Sequence, residues 1–225
     1  MPATCRPGSR IIGRVHPAYR AALSVLIPPR CATCAGPCGA TATLCPTCER
    51  ALAAAPSGSA HLAGVGTVFW AAPYDGAARE LVAALKFAGR LALAAHAAEA
   101  IVAALPPDLD ARAVVPVPPA PLRLRRRGFD PADRIAAAVA GRLGVPLERA
   151  LRRKGGPRQV GRKRADRLRS PPHVWATRRP PYPALLVDDV LTTGATLHAC
   201  ATALRGSDIT AAVFARALGV RAIGL

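Results

Sequence analysis

The run Leu185-Leu186-Val187-Asp188-Asp189-Val190-Leu191-Thr192-Thr193-Gly194-Ala195-Thr196 sets two carboxylates between an apolar stretch and a string of small hydroxyl residues. It reads as a buried strand, then Asp188 and Asp189 at its carboxyl end, then a tight loop opening a helix. Open α/β sheets place ligands outside the carboxyl ends of their strands. Thr192, Thr193, Gly194, Ala195 and Thr196 offer hydroxyls and closely spaced backbone N–H groups at a helix N-terminus, which suits a phosphate. Two acids beside a phosphate cradle suit a sugar phosphate, because carboxylates accept from ribose hydroxyls while the N–H groups hold the 5′-phosphate. A solvated loop after an apolar strand is the plain alternative. A Walker-B strand is another, but it requires G-x-x-x-x-G-K-[ST], and none of Lys86, Lys154 or Lys163 lies in one.

A second cluster has metal chemistry. Five of the seven cysteines fall between positions 31 and 48. Cys31-x2-Cys34 and Cys45-x2-Cys48 are paired knuckles whose four thiolates can close a tetrahedral zinc site. Gly36 and Pro46 suit the turns. Zinc bound there is structural, since neither knuckle holds a Glu or His to activate water. Its binding is coupled to folding of the segment. Disulfides or a redox pair are the alternative, and a cytosolic chain with two matched knuckles favours zinc. Cys38 is a spare thiol or an alternative ligand. Cys200, with Leu197 and Leu204 at helical spacing, reads as an inert core thiol.

These residues need elements to hold them. A chain of 225 residues suits one α/β domain with a small appendage. The spacing predicts a short helix over 19–27, knuckles over 31–50, a linker over 51–64 and the larger domain over 65–225. Val65 to Trp70 is β-prone. Ala78, Leu81, Val82 and Leu85 mark a helix over 77–87, and 91–105 is a second. Val114 to Val117 is a short strand that breaks at Pro118. Ile135, Val139 and Leu143 mark a helix in 132–143. Residues 145–151 are extended, and 152–172 basic and irregular. Ala184 to Val187 is the central strand, 195–205 the next helix and 209–217 the last strand. Strands alternating with helices imply a mostly parallel sheet covered on both faces. With aromatics at 4%, Ala, Leu and Val must fill the core.

Charge narrows the partners. The net charge is +18, from 28 Arg and 3 Lys against 13 acids. Residues 123–179 alone hold 18 basic and 4 acidic side chains, a net of +14. Such a block attracts polyanions such as nucleic acid or pyrophosphate. The general Arg excess reflects compositional bias, since Arg and Ala are both abundant throughout. Residues 51–74 carry no charged side chain, yet Pro56, Gly58, Gly64, Gly66 and Pro73 interrupt them, so no membrane insertion is expected. The apolar stretch Ala21–Ile27 is short and lies far in, which does not make a signal peptide, and the expectation is a cytoplasmic protein.

The Asp-Asp loop resembles the phosphoribosyl-pyrophosphate (PRPP) motif of type I phosphoribosyltransferases. Further stretches narrow the resemblance: Tyr74-Asp75-Gly76-Ala77-Ala78-Arg79 leading to Leu85-Lys86-Phe87-Ala88-Gly89; Val115-Pro116-Val117-Pro118; Arg123-Leu124-Arg125-Arg126-Arg127-Gly128-Phe129; then Gln159 and Arg167. With the double C-x2-C start, this order resembles the ComF family over about residues 20–217. Those proteins join a zinc ribbon to a phosphoribosyltransferase-like domain and are linked to DNA uptake in competent bacteria. The resemblance implies that Asp188 and Asp189 contact ribose hydroxyls, with Mg²⁺, and that Thr192 to Thr196 hold the 5′-phosphate. It implies that Val115, Pro116, Val117 and Pro118 form the turn facing pyrophosphate, with a cis bond before Pro116 or Pro118 as an option. Arg123 to Phe129 would be a mobile flap. Arg127 and Lys86 would neutralise the leaving pyrophosphate, with Arg79 a further anion contact. A solvated helix edge is the plain alternative for Lys86, and a charged loop for the Arg run. Asp130-Pro131 replaces the family's usual Asn-Gln, removing amide donors and adding a negative charge. Arg162, Ser170 and Trp175 are further departures.

Three functions follow as expectations. One is PRPP-dependent phosphoribosyl transfer to an unidentified acceptor. Another is a non-catalytic module whose basic block tracks single-stranded DNA. A third is a zinc-ribbon adaptor docking onto a DNA-uptake helicase.

Overall fold

In the computed structural model, the residues described are 30–39, 42–154, 172–205 and 208–217. The expected helix over 19–27, together with Gln159, Arg162, Arg167 and Ser170, lies outside them. The elements in chain order are α1 (Pro46–Ala53), β1 (Gly58–Leu62), β2 (Gly66–Pro73), α2 (Gly76–Phe87), α3 (Leu93–Ala104), β3 (Ala113–Pro116), α4 (Pro121–Arg127), α5 (Pro131–Leu143), β4 (Leu151–Arg153), β5 (Val174–Ala176), β6 (Ala184–Leu191), α6 (Ala195–Leu204) and β7 (Ile209–Arg216).

Five strands form one sheet in the order β1-β2-β7-β6-β3. The pairs β2–β7, β7–β6 and β6–β3 are parallel, and only the edge strand β1 runs antiparallel. Buried parallel strands read as unbroken apolar runs, as β6 does over Ala184–Val187. Because side chains alternate across a sheet, Leu185 and Val187 face one core with α2, α3 and α5. Ala184 and Leu186 face a second core with α6. Helices thus cover both faces, as the alternation of strands and helices implies. Phe214 is the bulkiest side chain fully buried; around it the core is mostly Leu, Val, Ile and Ala.

Several boundaries differ from the sequence expectation. The stretch 51–64 is not a bare linker: it finishes α1 and supplies β1, which pairs with β2 from Gly58–Trp70 to Leu62–Gly66. Alanine and glycine weaken strand propensity there, and pairing with β2 supplies the order. Arg152 and Arg153 are also not irregular: with the extended Leu151 they pair with Val174–Ala176 in a two-stranded sheet that packs on α6. The central strand runs four residues beyond Val187, to Leu191, because β7 still pairs with it through Leu191–Arg216. Among the described residues no helix is long and apolar enough to cross a membrane.

Candidate functional site

The site exists because β3 stops early. Its last pair is Pro116–Val187, after which the Val117 N–H donates to Val187 O at 2.9 Å and the chain turns away through Pro118 and Pro119 into α4. β6 continues, so Asp188 and Asp189 stand on a strand with one side vacated. Lining the resulting cavity of about 290 Å³ are Lys86, Val117, Pro118, Arg123, Arg127, Asp130, Arg153, Asp188, Asp189, Thr192 and Thr196, among others. A larger cavity of about 530 Å³ lies between α1 and α3, but its walls are mainly Ala and Leu and hold none of the motif residues.

The two adjacent acids lean to opposite faces of the sheet, as strand alternation requires. Asp189 follows Leu185 and Val187 toward α2, where Lys86 Nζ meets its Oδ1 at 2.6 Å. Lys86 is therefore an inward, ion-paired member of the site and not a solvated helix edge. Asp188 follows Leu186 toward α6. Burial, then the neighbouring Asp189 charge, pushes the Asp188 carboxyl up to about 8, against one backbone N–H from Asp189 at 2.8 Å.

The hydroxyl loop divides its work. Thr192 and Thr196 line the cavity. Thr193 turns back, its Oγ1 accepting from the Ala195 N–H at 3.4 Å. Gly194 sits at φ 77°, and a Cβ there would lie 2.7 Å from Leu62 Cδ2, so only glycine fits this turn. Of the expected pyrophosphate turn, Val117 and Pro118 reach the cavity, whereas Val115 and Pro116 belong to buried β3. The cis peptide among the described residues is Tyr182–Pro183, not the bond before Pro116 or Pro118. Arg123 to Arg127 form helix α4, closed by Gly128 at φ 75°, and no residue of that helix is buried. Arg127 lays its guanidinium 5.1 Å from the Phe87 ring centroid. Arg79 is exposed and is not among the residues lining the cavity.

Asp130 enters the site as more than a lost amide. It caps α5, accepting from the Ala132 N–H at 3.1 Å ahead of Pro131, a residue suited to the first helical turn. Burial chiefly, with Asp133 and Asp189 adding, pushes its carboxyl up to about 7. Arg153 is the residue that sequence reasoning missed. No sequence pattern marked it, because β4 has only three residues, although within that strand position 153 shares the face of the buried Leu151.

The cysteine cluster is separate. Cys31, Cys34, Cys45 and Cys48 bring their sulfurs within 4.8 Å of one another. Zn–S bonds of about 2.3 Å place tetrahedral sulfurs about 3.8 Å apart, and Cys34 Sγ and Cys45 Sγ are 3.7 Å apart. Burial pushes the Cys31 thiol up, but the Thr33 hydroxyl and backbone N–H groups of Cys34, Cys45 and Thr33 outweigh it and bring it down, whereas burial and the neighbouring cysteines push the Cys48 thiol up to about 12. The four cysteines can hold a metal ion such as zinc. Cys38 is outside the set: its thiol donates to Leu44 O at 3.0 Å, and burial raises its pKa. Cys200, on α6, is buried, as expected of a core thiol.

No family model matches this chain, and no curated protein matches it.

Proposed function

We propose that this chain is a phosphoribosyltransferase-type protein of the ComF family that binds PRPP in the cavity above β3 and β6. The supporting observation is a convergence. Asp188, Asp189, Thr192, Thr196, Val117, Pro118, Lys86 and Arg127 come from four separate stretches of sequence and line one cavity.

In this reading the ribose hydroxyls donate to Asp188 and Asp189. The 5′-phosphate accepts from the Thr192 and Thr196 hydroxyls and from N–H groups opening α6. As pyrophosphate leaves C1 of the ribose, positive charge builds on the ring and a nitrogen nucleophile attacks. Arg127 and Lys86 neutralise the departing group, and the fixed strand orients the sugar. Asp188 and Asp189 are oxygen donors that suit Mg²⁺ arriving with the phosphates, and the ion would offset charge on the leaving group. Zinc is the metal proposed for the four cysteines, as a structural ion.

The test is pyrophosphate release from PRPP in the presence of a panel of nitrogen bases. Release that requires both a base and the two aspartates supports transfer. Absence of release with every base counts against catalysis.

A second reading has one favouring observation. α4 carries Arg123, Arg125, Arg126 and Arg127 with no acid, and no ion pair engages any of them among the described residues. Exposed arginines at that density suit the phosphates of single-stranded DNA. Affinity should then fall steeply with salt, and flat salt dependence would remove this reading.

A further inference from the structure

Two glycines on different elements each have their missing side chain's space filled by a residue of the other element. Leu62, the last residue of β1, stands over Gly194, where a Cβ would meet its two methyl carbons at 2.7 and 3.0 Å. His198, on α6, stands over Gly64 in the β1–β2 turn, where a Cβ would meet its ring at 2.5 Å. The ring is also bonded. Its Nδ1 lies 3.1 Å from Ala63 O, 135 positions away, and a carbonyl only accepts, so Nδ1 is the donor. The β1–β2 turn is itself closed, by the Val65 N–H donating to Leu62 O at 2.9 Å and by the pairing of Leu62 with Gly66. The hairpin and the start of α6 therefore interlock at two points, each packed too closely to admit a further methyl group.

A loop that binds an anion through its backbone has a conflict to resolve. N–H groups aimed at a ligand are not free to hold the loop itself. In the Thr192–Thr196 turn the internal ties are a long one, from the Ala195 N–H to Thr193 Oγ1 at 3.4 Å, and the first helical bond, from the His198 N–H to Gly194 O at 2.9 Å. A preorganised site then needs its frame fixed by neighbouring groups. Leu62 fixes Gly194 in the middle of the turn. His198, already bonded to Gly194 through its backbone, fixes the first turn of α6 to the hairpin through its side chain. Neither residue is among those lining the cavity, so both act through the turn and not on a ligand.

We propose that the β1–β2 turn is a working part of the phosphate site, with Leu62 and His198 as positioning residues that hold Thr192–Thr196 in the shape that takes a phosphate monoester. This rests on the sugar-phosphate reading above and adds a second element to it, drawn from the edge strand. Linkage runs both ways: a hairpin that stiffens the turn raises phosphate affinity, and phosphate held in the turn stiffens the hairpin.

Calorimetry with ribose 5-phosphate and Mg²⁺ on the full zinc-loaded chain tests this, beside amide hydrogen exchange. His198 is exposed, so replacing it leaves the core intact. His198→Ala should weaken ribose 5-phosphate about three- to tenfold, the equivalent of one lost hydrogen bond. Asn places an amide N–H where Nδ1 stands, whereas the Gln amide lies one carbon further out. His198→Asn should therefore recover most of the loss and His198→Gln little of it. Leu62→Ala should weaken the same ligand without touching the histidine. In the wild type, ribose 5-phosphate should slow exchange of the Val65 amide, and His198→Ala should remove that protection. Unchanged affinity in both His198→Ala and Leu62→Ala overturns the proposal. So does an Asn variant no better than the Gln variant, or a Val65 amide indifferent to the ligand. If wild-type protein binds no ribose 5-phosphate, the sugar-phosphate reading fails and this proposal falls with it. If every variant binds as tightly as wild type, this proposal alone falls.

Discussion

Replacing Asp130 by Asn should stabilise the protein at neutral pH and leave it nearly unchanged in acid. Asn keeps the side-chain oxygen that accepts from Ala132 N–H, so the cap on α5 survives. What disappears is a carboxyl that burial, Asp133 and Asp189 raise from 3.8 to about 7. Between those two values the native state keeps a proton that the unfolded chain has released. Wild-type stability therefore falls as the pH rises through that window and is level above it. From pH 5.5 to about 7, at ~1.4 kcal/mol per pH unit, the stability difference between variant and wild type should grow by about 2 kcal/mol. Asp188 titrates in both proteins, and because the Asp130 charge helps to raise it, removing that charge shifts the difference in the same direction. Urea unfolding of zinc-loaded protein, followed by the fluorescence of Trp70 and Trp175, reads this directly. For a chain of this size the gain is a midpoint shift of about 1 M. A stability difference that stays flat from pH 5.5 to 7, or an Asn variant less stable than wild type at pH 8, refutes the reasoning.

Cys34→Ser should abolish tight binding of one zinc per chain, while Cys38→Ser should retain it; metal content after dialysis distinguishes them. Gly194→Ala forces a Cβ to 2.7 Å from Leu62 and a positive φ on alanine, so it should cost about 1–3 kcal/mol in unfolding experiments and weaken phosphate binding. Lys86→Met leaves Asp189, only 13% exposed, without its partner. That variant should lose roughly 2–4 kcal/mol in urea unfolding at pH 8.

The sequence made the parallel core legible because its strands are apolar runs and its helices keep a 3.6-residue period. Ala78, Leu81, Val82 and Leu85 are buried together, as their spacing requires. β1 was illegible because Gly58, Ser59 and Ala60 carry no strand signal and are ordered by pairing with β2. β4 and β5 have three residues each, too few to show a period. In the site, adjacency hid the geometry. Asp188 and Asp189 read as one pair, yet alternation sends them to opposite faces, one to Lys86 and one toward α6. Asp130-Pro131 read as damage to a flap, yet it is a helix cap that places a third carboxyl in the cavity. No local pattern could reveal that Lys86 crosses 103 positions to reach Asp189.

The most direct measurement is a calorimetric titration of Mg²⁺-PRPP into the zinc-loaded chain, beside the Asp188→Asn/Asp189→Asn double variant. Saturable one-to-one binding that the double variant loses is the predicted result. No binding by folded wild-type protein, or equal binding by the double variant, would contradict the proposed sugar-phosphate site.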